Sequence, residues 1–117
     1  MSDFDLRQLL QDAEVSANRG NYLKSTDLYL QATKFDHNCT TAWYGLGVTN
    51  AKLGNLEESI NSFEQAHRIN PDYGPTNANL ALILEHIDPE RASNFAKMAI
   101  ETSSESSELV RISRLSK

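Results

Sequence analysis

Apolar residues recur at intervals of three and four along most of the chain, and this spacing places them on one face of an α-helix. The clearest stretch covers residues 40–73. Its first half carries Trp43 and Leu46 on one face, and Gly54 then interrupts the pattern, as a residue that tolerates positive φ does at a helix end. Its second half, residues 56–69, repeats the stripe and stops just before an Asn-Pro pair. The stretch therefore predicts two amphipathic helices joined by a tight turn.

The same unit recurs before and after this stretch. Gly20 lies thirty-four residues before Gly54 and marks an equivalent turn. In the third unit Asp88 and Pro89 replace the turn glycine, and an aspartate N-cap followed by proline at the first helical position is a good helix start. One hairpin cannot bury its own apolar face, so the units need one another as neighbours. We predict three helical hairpins, at about residues 6–39, 40–73 and 74–106.

The central unit resembles a tetratricopeptide repeat (TPR). The motif positions of that family are occupied by Trp43, Leu46, Gly47, Gly54, Ser59, Phe63, Ala66 and Pro71. Asn50 departs from the tyrosine that is usual in the family, and Ser59 replaces the commoner alanine. So many matches at fixed spacing make a strong signal. The resemblance implies an all-α protein, a right-handed superhelical stack of αα-hairpins with about seven helices.

The helix boundaries follow from the apolar stripes and the turn residues. A hydrophilic break at residues 101–107 precedes a last apolar stripe formed by Leu109, Val110, Ile112 and Leu115. An extra helix often covers the last repeat in this family, so the resemblance implies a capping helix at about residues 106–115; a frayed tail is the alternative. The predicted helices lie near residues 3–19, 22–35, 39–53, 56–69, 74–87, 89–102 and 106–115.

Composition restricts the class of protein. The chain has 117 residues and a mean hydropathy of -0.50, which suits a single slim TPR-like domain over residues 1–117. Its net charge of -5 argues against binding to nucleic-acid phosphates. Cys39 is the only cysteine, so no internal disulfide can form. No apolar run reaches the length of a membrane span, and residues 1–5 do not resemble a signal peptide. We expect a cytoplasmic protein that contacts no membrane.

Candidate chemistry is sparse. His37 and Cys39 are close enough to suggest half of a metal site, but no second pair stands at ligand spacing. His37 lies where a proline closes the next repeat, so it is better interpreted as a turn residue. No glycine-rich phosphate loop follows a strand pattern, and the Ser, His and Asp residues show no catalytic arrangement. We therefore expect no enzyme activity, no metal and no cofactor.

The surface of the first helix in each repeat is the candidate binding site. The spacing predicts that Trp43 and Leu46 face the second helix of their hairpin and that Tyr44 and Val48 form a separate stripe. The resemblance implies that such stripes from successive repeats line a concave groove; ordinary packing between repeats is the alternative. The predicted groove residues, which include rim positions at both ends, are Arg7, Leu10, Glu14, Asn18, Thr41, Tyr44, Val48, Lys52, Ala78, Leu82, Glu85 and His86.

Two functions remain open at this stage. The first is a non-catalytic interaction module that holds a peptide or a partner protein in the groove. The second is a targeting or scaffolding segment of a larger enzyme or assembly whose chemistry lies elsewhere, and a small catalytic domain is a distant third. In either of the first two cases the expected partner is a protein or peptide, with the chain itself a monomer or a weak homo-oligomer. The last helix could also fold back and occupy the groove.

Overall fold

Six α-helices make up the regular structure of the protein. The computed structural model describes the backbone of residues 2–115 and the side chains of residues 2–102, and this part contains no strand. The all-α prediction is therefore confirmed, with six helices where about seven were expected. The helices are α1 (Asp3–Asn18), α2 (Tyr22–Phe35), α3 (Thr40–Lys52), α4 (Leu56–Ile69), α5 (Gly74–Leu84) and α6 (Pro89–Leu115).

The helices pack as hairpins within two compact units, residues 1–70 and 71–117. In the first unit α1 packs against α2 and α3 packs against α4, while α2 and α3 join the two hairpins. In the second unit α5 packs against α6. The helices thus pair in the order that the predicted hairpins require.

The two hairpins of the first unit turn in the same way. Gly20 and Gly54 have φ angles of 80° and 84°, in the left-handed region that favours glycine. The residue after each glycine donates its backbone N–H to a carbonyl five residues earlier, in bonds of 2.8 Å that close the end of the helix. The turn in the second unit is different, because Asp88 caps α6 through a 3.2 Å bond from the Arg91 N–H. The predicted exchange of a glycine turn for an aspartate cap is confirmed.

A buried serine fastens the two helices of each hairpin in the first unit. Ser25 Oγ donates to the Ala13 carbonyl at 2.7 Å, and Ser59 Oγ donates to the Gly47 carbonyl at 2.6 Å. Both serines are fully buried. Since the two bonds are thirty-four residues apart, they repeat with the period of the fold.

Glycine lets α3 approach aromatic rings on both of its neighbours. A Cβ atom on Gly47 would lie 2.6 Å from Phe63 Cδ1 of α4, and a Cβ on Gly45 would overlap the Tyr29 ring of α2. Phe63 is fully buried and Tyr29 is 8% exposed. The helix spacing on both sides of α3 therefore depends on the absence of a side chain.

The predicted position of Trp43 is wrong in one respect. Trp43 is half-buried and packs against a cluster of residues from α1, α2 and α3, which includes Leu46, rather than lying between α3 and α4. Its Nε1 donates to the His37 carbonyl at 2.8 Å, which ties α3 to the preceding turn. Tyr44 instead packs on α4, where its ring meets Phe63 edge to face with centroids 5.6 Å apart. Because α3 packs on α2 and α4 at once, its apolar residues divide between two faces.

The C-terminal helices also differ from the prediction. The break expected at residues 101–107 lies inside α6, which continues to Leu115. Residues 106–115 are therefore an extension of α6 and not a separate helix. The side chains expected to form the cap, from Leu109 to Leu115, lie outside the described residues, so a capping role for them stays a prediction.

We expect the Gly47→Ala variant to be less stable than the parent protein. The added Cβ would lie 2.6 Å from Phe63 Cδ1 and 2.7 Å from Phe63 Cγ, and the buried ring has little room to move. Overpacking of this kind should lower the free energy of unfolding by about 2 kcal/mol, measured by urea denaturation. Gly74→Ala is the control, because its Cβ would meet Thr102 at an ordinary 3.7 Å. Equal losses in the two variants would contradict this explanation.

Thr76→Val should stabilise the protein. Thr76 is fully buried, and its Oγ1 forms no hydrogen bond with any described residue. Valine has a similar shape and removes the unpaired hydroxyl, so we expect a gain of about 1 kcal/mol. Thr33→Val is a matched control, because the buried Thr33 hydroxyl donates to the Leu30 carbonyl at 2.7 Å. That variant should be destabilised in the same denaturation experiment, and a loss of stability in Thr76→Val would refute the argument.

Candidate functional site

Helices α1 and α3 of the first unit meet around the ring of Tyr29. The ring comes from α2 and lies directly on Gly45 of α3. Burial raises the pKa of the Tyr29 hydroxyl, and the negative charge of Glu14 on α1 raises that pKa further. The phenol end of Tyr29 therefore lies near the contact between α1 and α3, close enough to the Glu14 carboxylate for its charge to affect the Tyr29 pKa.

Four of the predicted groove residues flank this point. Leu10 is partly buried on the Tyr29 cluster, and Glu14 is exposed one turn later on the same helix. Tyr44 and Val48, also partly buried, lie one residue before and three residues after Gly45. We call Leu10, Glu14, Tyr29, Tyr44 and Val48 the α1–α3 surface. It combines apolar side chains with one carboxylate and two phenols.

The Tyr44 ring is held in place by its neighbour. It packs edge to face on Phe63 with an interplanar angle of 60°. A ring fixed in this way loses little conformational entropy when a ligand covers it, and its hydroxyl provides a polar tip. Arg7, Asn18, Thr41 and Lys52, which were predicted at the ends and rim of the groove, are exposed to solvent.

The third-repeat residues of the predicted site lie in a second depression, inside the second unit. Ala78, Leu82 and Glu85 of α5 line it together with residues of α6, and its volume is about 570 Å³. His86 is exposed and does not line it. We call this depression the α5–α6 groove; its lining residues are Ala78, Ala81, Leu82, Glu85, Pro89, Ala92, Ser93, Ala96, Ala99 and Ile100.

Sequence reasoning missed two parts of these surfaces. Tyr29 lies thirty-four residues before Phe63, and its hydroxyl distinguishes it from a purely apolar core residue. The α6 side of the second depression was also missed, although Ala92, Ala96 and Ala99 stand at spacings of four and three. Small residues at helical spacing mark a face that another helix can approach closely, and that signal was present in the sequence.

The described residues show no arrangement for metal binding. Within residues 2–102, no group of three His, Cys, Asp or Glu side chains is placed to hold a metal ion. His37 contributes its backbone carbonyl to Trp43, and Cys39 is the partly buried residue that precedes α3. Among the described residues, no helix combines the length and the apolar character of a membrane span.

Comparison with known proteins identifies the repeat. Residues 40–73 match the family model described as the tetratricopeptide repeat. The chain is also 30% identical over 105 residues to anaphase-promoting complex subunit 3 of Schizosaccharomyces pombe, a match that covers 89% of this chain and 16% of that protein. The chain spans less than a fifth of the length of the curated relatives it matches.

Solved structures show the same fold. The type III secretion chaperone SycD of Yersinia enterocolitica, in complex with a peptide of the translocator YopD, has a TM-score of 0.84 at 19% identity, covering 97% of this chain and 87% of that one. The Sgt2 TPR domain from Aspergillus fumigatus has a TM-score of 0.78 at 21% identity, covering 86% and 67%. Residues 40–73 are thus a tetratricopeptide repeat, and the chain has the fold of proteins built from such repeats.

We expect Tyr29 to titrate above its ordinary pKa of 10.0. The change can be followed by the ultraviolet absorbance of the four tyrosines while circular dichroism remains native. Tyr29→Phe should remove a component that titrates above 10.0, and Glu14→Gln should lower the midpoint of that component, whereas Glu57→Gln should leave it unchanged. Because folding raises the Tyr29 pKa, ionisation of this group favours the unfolded chain. The contribution of Tyr29 to the free energy of unfolding is therefore fully present below pH 10.0 and is lost at higher pH. A Tyr29 midpoint below 10.0 would contradict the assigned burial.

Proposed function

We propose that the protein is a non-catalytic interaction module and that its α1–α3 surface binds a short peptide segment of a partner protein. The observation that carries this proposal is the combination of a ring held in place, Tyr44 on Phe63, with the Tyr29 phenol and the Glu14 carboxylate. Apolar area next to a few fixed polar groups is the usual composition of a peptide-binding site.

The chemistry of the surface indicates what such a peptide carries. Leu10, Tyr44 and Val48 offer contact to one apolar or aromatic side chain. Glu14 is an acceptor, so it favours a backbone N–H or a lysine or arginine side chain at the adjacent position of the peptide. Lys52 is exposed at the end of α3, where a charge affects orientation and association rate more than affinity. Contact with two helices alone makes a dissociation constant of about micromolar or weaker the expected range.

The comparisons support binding of this kind. SycD shares the fold and is described in complex with a peptide of YopD. At 19% identity the likeness concerns the fold, so the peptide itself is not carried over to this chain. Extension of the binding surface to Ala78, Leu82, Glu85 and His86 of the third repeat stays a prediction.

A scaffolding role inside a larger assembly is the second candidate. It is favoured by the likeness to a protein named as a subunit of the anaphase-promoting complex, of which this chain spans 16%. Size-exclusion chromatography of source-cell extract at high salt tests it. Elution of the chain in a stable high-mass complex would favour a permanent scaffold, and elution at low mass would favour a reversible peptide-binding module.

Peptides selected from a random library on the parent protein provide the probe for the first proposal. Charge reversal by Glu14→Lys should weaken their binding about tenfold or more, at least about 1.4 kcal/mol, because it replaces the proposed acceptor by a cation. Glu57→Lys is the matched control, since it makes the same change of charge at an exposed position of α4. Isothermal titration calorimetry measures both constants. Glu14 is preferred to Tyr44 because truncation of Tyr44 would also remove its packing on Phe63.

Amide chemical-shift mapping with the same peptides locates the bound surface. We expect perturbed signals on α1 and α3, around Glu14, Tyr44 and Val48. Perturbations that gather instead around Leu23, Leu30 or Leu56, exposed apolar residues of α2 and α4, would refute the proposed site. Equal weakening by Glu14→Lys and Glu57→Lys would show that net charge and not the α1–α3 surface governs binding.

A further inference from the structure

The α5–α6 groove has the shape and the lining of a helix-binding site. Five of its lining residues are alanines, which let a helix backbone approach closely. Two large apolar residues stand at its sides and are open to solvent, Leu82 at 71% exposure and Ile100 at 63%. Glu85 is its one charged lining residue. Such a groove suits an amphipathic helix with an apolar stripe and basic residues beside it.

Helix α6 is much longer than the helix against which it packs. It has 27 residues and α5 has 11, which correspond to about 40 Å and about 16 Å of helix. A Cβ on Gly74, at the start of α5, would lie 3.7 Å from Thr102 Cγ2. Since the two helices pair between Gly74 and Thr102, residues 103–115 of α6 extend past the end of α5.

The sequence of this extension matches the groove. Residues 106–115 contain four apolar positions at helical spacing, Leu109, Val110, Ile112 and Leu115. The same segment carries Arg111 and Arg114 together with one acidic residue, Glu108, while the end of the groove nearest the α5–α6 turn carries Glu85. The net charge of the segment is therefore positive, and the one charged lining residue of the groove is negative.

We propose that two copies of the chain associate by exchanging these segments, each laying residues 106–115 of its α6 in the α5–α6 groove of the other. The extension cannot reach the groove of its own chain, because it continues α6 away from it without a break. A second copy supplies both a groove and a segment, so a two-fold dimer satisfies both partners and closes the assembly.

A simple register follows from this symmetry. If the two α6 helices run antiparallel and cross at Thr102, residue 106 of one copy lies beside residue 98 of the other, four residues from the crossing in each case. By the same count residue 115 lies beside residue 89, thirteen residues from the crossing. The segment 106–115 then covers residues 89–98, the range that contains Pro89, Ala92, Ser93 and Ala96 of the groove. It also brings Arg114 to the acidic end, opposite residue 90.

Sedimentation equilibrium of the full chain over a range of concentrations tests this dimer. We expect a monomer–dimer equilibrium whose dissociation constant is raised about tenfold or more by Leu82→Glu, because an unpaired carboxylate in an apolar contact is costly. Leu23→Glu is the matched control, since Leu23 is an equally exposed leucine, at 74%, on α2. It should leave the equilibrium unchanged. Circular dichroism confirms that both variants remain folded.

A second pair of variants tests the exchange itself. Arg111→Glu with Arg114→Glu alters only the segment, and it should weaken the homodimer as Leu82→Glu does. A mixture of the two kinds of chain contains one intact groove and one intact segment, so it should form heterodimers more tightly than either forms homodimers. Lower association in the mixture than in both separate samples would overturn the exchange.

Other outcomes overturn the proposal directly. A chain that stays monomeric up to its solubility limit excludes the dimer and leaves the groove to a different occupant. A dimer that is indifferent to Leu82→Glu, or equally weakened by Leu23→Glu, uses another surface. The test is separate from the peptide-binding proposal, because Arg111→Glu with Arg114→Glu changes none of the predicted groove residues and should not alter the peptide dissociation constant.

Discussion

The structure depends on one steric constraint, which is that α3 packs closely on two helices at once. Gly45 has no side chain where the Tyr29 ring packs on one side, and Gly47 has none where the Phe63 ring packs on the other. Ser59 also donates to the Gly47 carbonyl at 2.6 Å, which joins α3 and α4 at the same place. Close-packed interiors tolerate neither added nor missing methyl groups well. The small residues of this repeat therefore set the spacing of the first unit.

The same close packing produces the candidate binding surface. Tyr29 crosses from α2 to the junction of α1 and α3 because Gly45 leaves room for its ring. Its hydroxyl end thereby comes near Glu14, while the Phe63 ring that fills the space over Gly47 also supports Tyr44. Tyr29 and Phe63 thus both set the helix spacing in the core and position the side chains of the α1–α3 surface. For this reason, conservative changes at Tyr29 or Phe63 are expected to affect the exposed surface as well as stability.

In the second unit, small residues line an open groove instead of bringing two helices into close contact. Its alanines line a groove about 570 Å³ in volume, and α5 is too short to cover all of α6. A helical repeat presents an apolar face to the next element of a stack, and terminal repeats need a cover for that face. The continuous α6 moves the expected covering segment away from its own groove. In the proposed dimer, the segment of a second copy supplies this cover.

Much of the fold could be predicted from the sequence because its signals are local. Turn glycines at 20 and 54, the Asp88–Pro89 helix start and the helical spacing of apolar residues fixed the helices to within a few residues, apart from the break expected in α6. The division of α3 into two packed faces, with Trp43 on one and Tyr44 on the other, could not be predicted in this way. The position of the Tyr29 ring could not be predicted either, because it depends on which helices pack against α2. Periodicity defines an apolar face, but only the packed neighbours decide which residue of that face touches which helix, since contact depends on distances between elements far apart in the chain.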